Sequence, residues 1–388
     1  MVKKLLLVLL AVAVVAIGFF AVRDLRPLSQ TVGEYLQDLF ITNGIAVSEE
    51  DFFEPVDDPC VAFARILNLI PARAQSDDRM NERRARLISK QFLAVKDKLY
   101  LDGLYGKIDM HEHYRVGGSI GLFLEAAACY GISKVLFVPT DYGPDNKNYK
   151  MHWTFLIAAA KLYPDQIIPF CTIDEADPRA AELVEQYILQ GAKGIKLIGG
   201  HPSFYDEPLN SENMYRVYEK AAQYGVPILL HGSIINIPGL KDQLDQVYGD
   251  FPEVTFIHAH YGSTIMAGID LDQMAELLDK HPNLYTDLSM GGGIARYHYY
   301  LKQDLETIKD FVIEYQDRIL FGSDIILRPA RNRFDWLYER IRCDIDLHEQ
   351  AEYTCEFGES DWVHQGFDLD RDVLRKLYYE NPKKVLGI

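Results

Sequence analysis

Apolar and polar positions change rhythm twice along this chain. The first stretch is "LLLVLLAVAVVAIGFFAV", Leu5 to Val22, an uncharged run behind Lys3 and Lys4. About 18 helical residues cover roughly 27 Å, close to the hydrocarbon thickness of a bilayer. The run predicts an uncleaved single-pass anchor over residues 1–22. A signal peptide is the competing reading, but its apolar core is usually shorter and a small-x-small cleavage site should follow it. Phe19, Phe20, Ala21, Val22 and Arg23 stand there instead. Arg23 and Arg26 nearly balance Lys3, Lys4 and the amino terminus across the span. The positive-inside rule therefore leaves the orientation open, and an extracytoplasmic main domain is the favoured arrangement. Residues 23–100 read as a helical connector. Its strongest segment is "SDDRMNERRARLISKQFLAVKDKL", where Met80, Leu87, Ile88, Phe92, Val95 and Leu99 fall near one helical face. It carries no catalytic pattern.

In the third region, residues 101–388, short β-rich runs alternate with amphipathic helical stretches. The predicted strands are "YGKIDMH" (105–111), "SKVLFVP" (133–139), "QIIPFCTI" (166–173), "AKGIKLI" (192–198), "VPILLHG" (226–232), "VTFIHAH" (254–260), "NLYTDLS" (283–289) and "RILFGSD" (318–324). Helices fit between them. "DPRAAELVEQYILQG" and "SENMYRVYEKAAQYG" each end at a glycine suited to a helix C-cap. Strands separated by helices pair in parallel, and eight such units predict a closed α/β barrel of the (β/α)8 (TIM) type. A doubly wound open sheet is the alternative, but its Gly-x-Gly-x-x-Gly turn after the first strand is missing. Residues 343–370 read as an irregular insertion.

Active-site groups of such a barrel sit at the C-terminal strand ends. Strand one ends with His111 and His113, strand four carries Lys196, strand five ends at His231, strand six at His258 and His260, and strand eight at Asp324. Strand side chains alternate with period two, so His111 and His113 share a face and can grip one cation. His231 and Asp324, from strands across the barrel, would complete a nitrogen-and-oxygen shell. This donor set suits Zn²⁺, with Mn²⁺ or Fe²⁺ as alternatives. A single histidine at a strand end is more often structural; agreement among several strand ends is what points to a metal.

Charge and cysteines narrow the picture further. With 40 basic and 57 acidic residues the net charge is −17, which repels phosphate backbones and argues against nucleic acid as a partner. A small anionic substrate remains compatible, because a pocket can be locally positive. The five cysteines form neither a CxxC pair nor a dense framework. Cys129 and Cys171 lie in apolar runs and read as small core residues, and the redox compartment stays open.

The stretches "IDMHEH", "GAKGIKLIGGHP", "VPILLHGS", "VTFIHAHYGS", "RILFGSD" and "ENPKKVLGI" occur in that order over residues 105–388. Together they make the chain resemble the amidohydrolase superfamily, in particular the amidohydrolase-2 type of metal-dependent TIM-barrel hydrolases. The resemblance implies that His111, His113, His231 and Asp324 are metal ligands, with Asp324 also moving a proton. It implies that His260 contacts substrate or a second metal. Lys196 would be a carboxylated bridge between two metals, or a free amine beside one metal. One ion is expected, or two with a carboxylated Lys196. His201, on the loop after strand four, would line the pocket, and Arg115 and Arg328, which follow ligand strands, would either hold an anionic substrate or form surface ion pairs.

Three functions are compatible with this set. The leading one is metal-assisted hydrolysis of a small amide, lactone or ester. The second keeps the site but makes the protein a non-oxidative decarboxylase or hydratase of a small carboxylic acid. The third is a membrane-tethered binding protein on a retired barrel, which the retained ligand set argues against. The expected partners are a small-molecule substrate and the membrane, with a homo-oligomer left open.

Overall fold

A computed structural model of the chain describes residues 106–140, 149–264, 270–289, 304–355 and 363–388. The expected anchor (1–22) and connector (23–100) lie outside the described residues. Among the described residues no helix is long and apolar enough to cross a membrane.

The apolar runs form a parallel sheet because each must bury both faces, one toward the barrel axis and one under helices. In chain order the elements are β1 (Lys107–Tyr114), α1 (Ile120–Ala128), β2 (Ile132–Pro139), α2 (Tyr149–Leu162), β3 (Ile167–Thr172), α3 (Ala180–Gln190), β4 (Gly194–Gly200), α4 (Glu212–Tyr224) and β5 (Ile228–Gly232). They continue with α5 (Leu240–Asp250), β6 (Phe256–His258), α6 (Asp272–Lys280), β7 (Leu284–Asp287), α7 (Leu305–Glu314), β8 (Ile319–Leu320), β9 (Ile326–Leu327) and α8 (Phe334–Glu349). The sheet runs β8-β7-β6-β5-β4-β3-β2-β1-β9, and every pairing in it is parallel. β8 and β9 are two halves of one interrupted strand. Between them, Met110 N donates to Phe321 O at 2.9 Å, Asp324 N to His111 O at 2.7 Å and His113 N to Ile325 O at 3.1 Å. These bonds join the first strand to the last and curl the sheet into the expected (β/α)8 barrel.

Register puts Leu136 beside Ile168, Leu229 beside Ile257 and Ile257 beside Tyr285. With Ile108, Met110, Val138, Phe170 and Leu320 they form one buried cluster on the axis. Complete burial of each such side chain contributes about 1.5–3 kcal/mol. The floor of the barrel is therefore dry and apolar, and polar groups gather above it at the strand ends.

Helix signals in the sequence also materialise. Ser211 caps α4 by accepting from Met214 N at 3.2 Å, and Gly225 ends the helix in the left-handed region at φ 61°. Gly191 follows α3 at φ 122°.

The irregular insertion expected at 343–370 is corrected where it is described. Its first part belongs to α8, and β10 (Glu352–Thr354) pairs antiparallel with β11 (Val363–Gln365). Cys343 and Cys355 are joined by a disulfide that ties α8 to this hairpin. Cys129 is likewise disulfide-bonded, so it is more than a small core residue, whereas Cys171 is free and buried. The chain ends with α9 (Arg371–Arg375), a π turn at Lys376–Glu380 and α10 (Asn381–Leu386), whose Val385 and Leu386 pack against the axial cluster.

Candidate metal centre

β1 builds the centre of the site by breaking its own alternation. Ile108 and Met110 lie in the axial cluster, so strict period two would turn His111 and His113 outward. A bulge prevents this. Asp109 pairs with Val135 and Glu112 with Phe137, three steps on β1 against two on β2. Beyond it His113 pairs with Val138 and faces the axis. His111 and His113 do share a face, as expected, but through the bulge rather than through simple alternation. Their Nε2 atoms stand 3.1 Å apart. Gly322 makes room for them: a Cβ there would come within 2.7 Å of His111 Cβ.

The residues displaced by the bulge form a buried layer behind the histidines. Asp109 accepts from His111 N, Ser323 N and Ser323 Oγ at 3.1, 3.2 and 2.7 Å. Glu112 accepts from Ile325 N at 3.0 Å, and its Oε1 also meets the same Ser323 hydroxyl, which has one hydrogen for the two acids. Arg340 of α8 donates to Ser323 O at 3.1 Å and pairs with Asp344. Burial lifts the Asp109 carboxyl to about 7, and burial together with the Asp109 charge holds Glu112 well above its ordinary range. A protonated carboxyl in this layer lets two acids share one hydroxyl.

Asp324 and His260 reach the axis through left-handed backbone. Asp324 has φ 49°. His260, Tyr261, Gly262 and Ser263 are four consecutive residues at φ 52–67°. Non-glycine residues there cost about 1–2 kcal/mol each, and such conformations persist where the surroundings hold them. The turn follows from parity. His258 faces outward, bonded to Tyr248 Oη at 3.1 Å and Gly232 O at 2.8 Å. It is a structural side chain of the strand. Ala259 lies in the axial cluster, so His260 would face away without the twist. In the structure His260 Nε2 lies 3.6 Å from Asp324 Oδ2, and its ring stacks on His111 with centroids 5.0 Å apart.

Asp324 Oδ1 stands 2.8 Å from His113 Nε2 and 3.8 Å from His111 Nε2. Lys196 Nζ lies 3.1 Å from His111 Nε2. Burial lowers the Lys196 amine to about 8, against the pull of Asp324 and Asp287. Burial also holds His111 and His113 below their ordinary values, His111 at about 3, so both are neutral near pH 7. Burial alone would raise Asp324, but its imidazole neighbours, His113 through a hydrogen bond, hold the carboxyl well below the usual range.

Other expected site residues stand farther out. The His231 ring is 5.0 Å from that of His260 and 4.8 Å from that of His201, so His231 extends the site on the His260 side. It lies outside the tight group formed by His111, His113 and Asp324. His201 accepts from Ser203 N at 3.0 Å and lines the rim beside His231. Arg115 follows β1 and is partly exposed; Arg328 follows β9 and is exposed. Sequence reasoning missed Asp287, Ser289, Thr140, Asp109, Glu112 and Arg331. Asp287 and Ser289 close the quoted run "NLYTDLS", so the strand-end rule applied to strand seven would have found them. Thr140, just past β2, is hydrogen-bonded to His113 Nδ1. Arg331 carried no local signal.

The donors fit a divalent cation. Asp287 Oδ2 is 2.8 Å from His111 Nδ1, and an ionised carboxylate only accepts, so the proton of neutral His111 sits on Nδ1 and Nε2 carries a lone pair, which also faces the Lys196 amine. That lone pair faces His113 Nε2 at 3.1 Å, and Asp324 Oδ1, buried 2.8 Å from His113 Nε2, completes the group. Two imidazole nitrogens and a carboxylate oxygen converging on one point suit Zn²⁺ or a similar ion.

The family model described as Amidohydrolase matches residues 133–388, more than half of the chain, and the chain belongs to that family. No curated protein matches it in sequence. Among solved structures it is similar to an uncharacterised TIM-barrel protein from Bordetella bronchiseptica, at 19% identity and a TM-score of 0.51, covering 73% of this chain and 98% of that one. An amidohydrolase from Burkholderia multivorans with bound HEPES gives 13% identity and a TM-score of 0.51, over 73% and 99%. A 5-carboxyvanillate decarboxylase from Novosphingobium aromaticivorans, complexed with manganese, gives 13% identity and a TM-score of 0.45, over 73% and 96%. The first two likenesses establish the shared barrel.

Proposed function

We propose that this protein is a metal-dependent hydrolase of a small amide, lactone or ester. His111, His113 and Asp324 would hold one divalent cation, most simply Zn²⁺, with His231 and Lys196 beside it. A second ion would require carboxylation of Lys196, a reaction that needs the neutral amine its lowered pKa favours. A divalent ion bound there would lower the pKa of water toward about 7 and polarise a carbonyl oxygen. Asp324 accepts the proton of the attacking water. His260, whose Nε2 faces Asp324 Oδ2, relays a proton toward the leaving group. The apolar floor keeps bulk water from below. The observation that carries this reading is the convergence of one buried ligand atom each from His111, His113 and Asp324, all within 4.8 Å of one another.

One observation favours the second reading, decarboxylation or hydration of a small acid. Arg328 and Arg331 follow the strand that bears Asp324, and among the described residues neither pairs with a carboxylate. Arg331 bonds back to Ile326 O at 3.4 Å and lies over the Trp336 ring. In a chain of net charge −17, two guanidinium groups that follow the Asp324 strand suit an anionic substrate.

We also propose that residues 1–22 anchor the chain, that 23–100 connect, and that 101–388 form the barrel domain on the extracytoplasmic side. The Cys343–Cys355 disulfide supports an oxidising compartment.

The test is metal analysis of the full-length protein followed by a substrate panel of amides, lactones, esters and acids. A new acid plus an amine or alcohol supports hydrolysis, and carbon dioxide supports decarboxylation. Stoichiometric metal without turnover across the panel would favour a binding protein, and absence of metal after growth in supplemented medium would refute the metal reading.

A further inference from the structure

We propose that Asp287 and Ser289, at the end of β7, are positioning residues that set the tautomers of His111 and His260 and so create the lone-pair face of the site. The inference rests on the reading of His111 as a metal ligand only for its effect on affinity; the tautomer assignment stands on hydrogen bonds alone.

Asp287 continues the axial row above Tyr285 and is fully buried. Its Oδ1 accepts from His260 N at 3.0 Å, Ser289 N at 3.1 Å and Ser289 Oγ at 2.5 Å. Its Oδ2 meets His111 Nδ1 at 2.8 Å. The Ser289 hydroxyl spends its only hydrogen on Asp287, so it turns lone pairs toward His111 Nδ1 at 3.0 Å and His260 Nδ1 at 2.9 Å. The Ser289 carbonyl accepts from His260 Nδ1 at 2.7 Å. Every group facing the two Nδ1 atoms is thus an acceptor. Both protons must sit on Nδ1, and both Nε2 atoms are left as acceptors, that of His111 facing His113 and the Lys196 amine and that of His260 facing Asp324. Asp287 also holds the backbone N–H of His260, the first residue of the left-handed turn, so one carboxylate fixes ring and backbone together. His111, His260 and Asp287 cluster closely enough to suggest a cation site, but the carboxylate already receives four donors, which explains their proximity without one.

Asp287→Asn separates this role from a structural one. The amide oxygen should keep the three donors on the Oδ1 side, which turns the NH₂ group toward His111 Nδ1. His111 must then adopt the Nε2–H tautomer, aiming a hydrogen into the site. Histidine-labelled full-length protein, stripped of metal, reports this directly through ¹⁵N shifts assigned with His111→Gln. The expected result is Nδ1–H in the native protein and Nε2–H in Asp287→Asn. Zinc affinity, measured by chelator competition, should fall about 10–100-fold while circular dichroism stays unchanged. A native His111 protonated on Nε2 would overturn the proposal whether or not the variant folds. So would a folded variant with native tautomer and native affinity. A native protein with Nδ1–H on His111 but no metal binding would uphold the tautomer assignment and refute the metal reading.

Discussion

Replacing Asp324 by Asn changes one side-chain atom and leaves the shape of the strand-eight loop intact. The residue sits at φ 49°, a region that Asn tolerates better than most residues. No backbone penalty is expected. In metal-free protein the change keeps the side chain's shape and removes a carboxylate charge 2.8 Å from His113 Nε2. The metal-free variant should therefore unfold close to the temperature of metal-free native protein. Metal separates the two. At 100 times its dissociation constant, an ion that binds only the folded state stabilises it by about 2.7 kcal/mol. Loss of an anionic ligand should remove half or more of that gain. Turnover should fall further than occupancy, because Asn cannot accept a proton near neutral pH. A positioned acid–base group contributes about 10²–10⁴-fold, about 2.7–5.5 kcal/mol of barrier. The assay compares turnover per bound metal at saturating metal, with thermal unfolding in the presence and absence of the ion. A folded, fully loaded Asp324→Asn protein with more than a tenth of native turnover would refute the assignment of Asp324 as proton acceptor.

Glu175 is buried, with Oε1 accepting from Ile198 N and Gly199 N at 2.6 and 2.7 Å, and burial raises its pKa from 4.5 to about 7. Its protonated form is favoured in the fold, so its contribution is complete below about pH 4.5 and lost as pH rises through 7, about 3 kcal/mol in all. Glu175→Gln should flatten that part of the stability profile in denaturant titrations; identical slopes for both proteins would contradict it. The Cys343–Cys355 bridge spans 12 residues, and Cys343→Ala should cost about 3 kcal/mol, checked by urea unfolding without reductant. Arg331→Ala should raise KM for an acidic substrate more than tenfold while changing kcat little, and added guanidinium should partly restore binding. An unchanged KM would remove Arg331 from recognition.

Local pattern carried much of this protein. Alternating apolar runs and amphipathic segments specified parallel strands with crossovers. Glycines marked the ends of α3 and α4, and the ordered polar strand ends named His111, His113, Lys196, His231, His260 and Asp324. These signals are legible because burial period and cap chemistry act over a few neighbouring residues. What closure of the barrel decided was not legible. The bulge that turns His111 inward depends on β1 pairing with β2 on one side and with 321–325 on the other. Asp109 meets Ser323 across 214 residues, and the left-handed turn at His260 is held by Asp287 of the neighbouring strand. Nothing within a window of a dozen residues encodes those partners. They are chosen when the last strand meets the first, and the orientation of every donor in the site follows from that meeting.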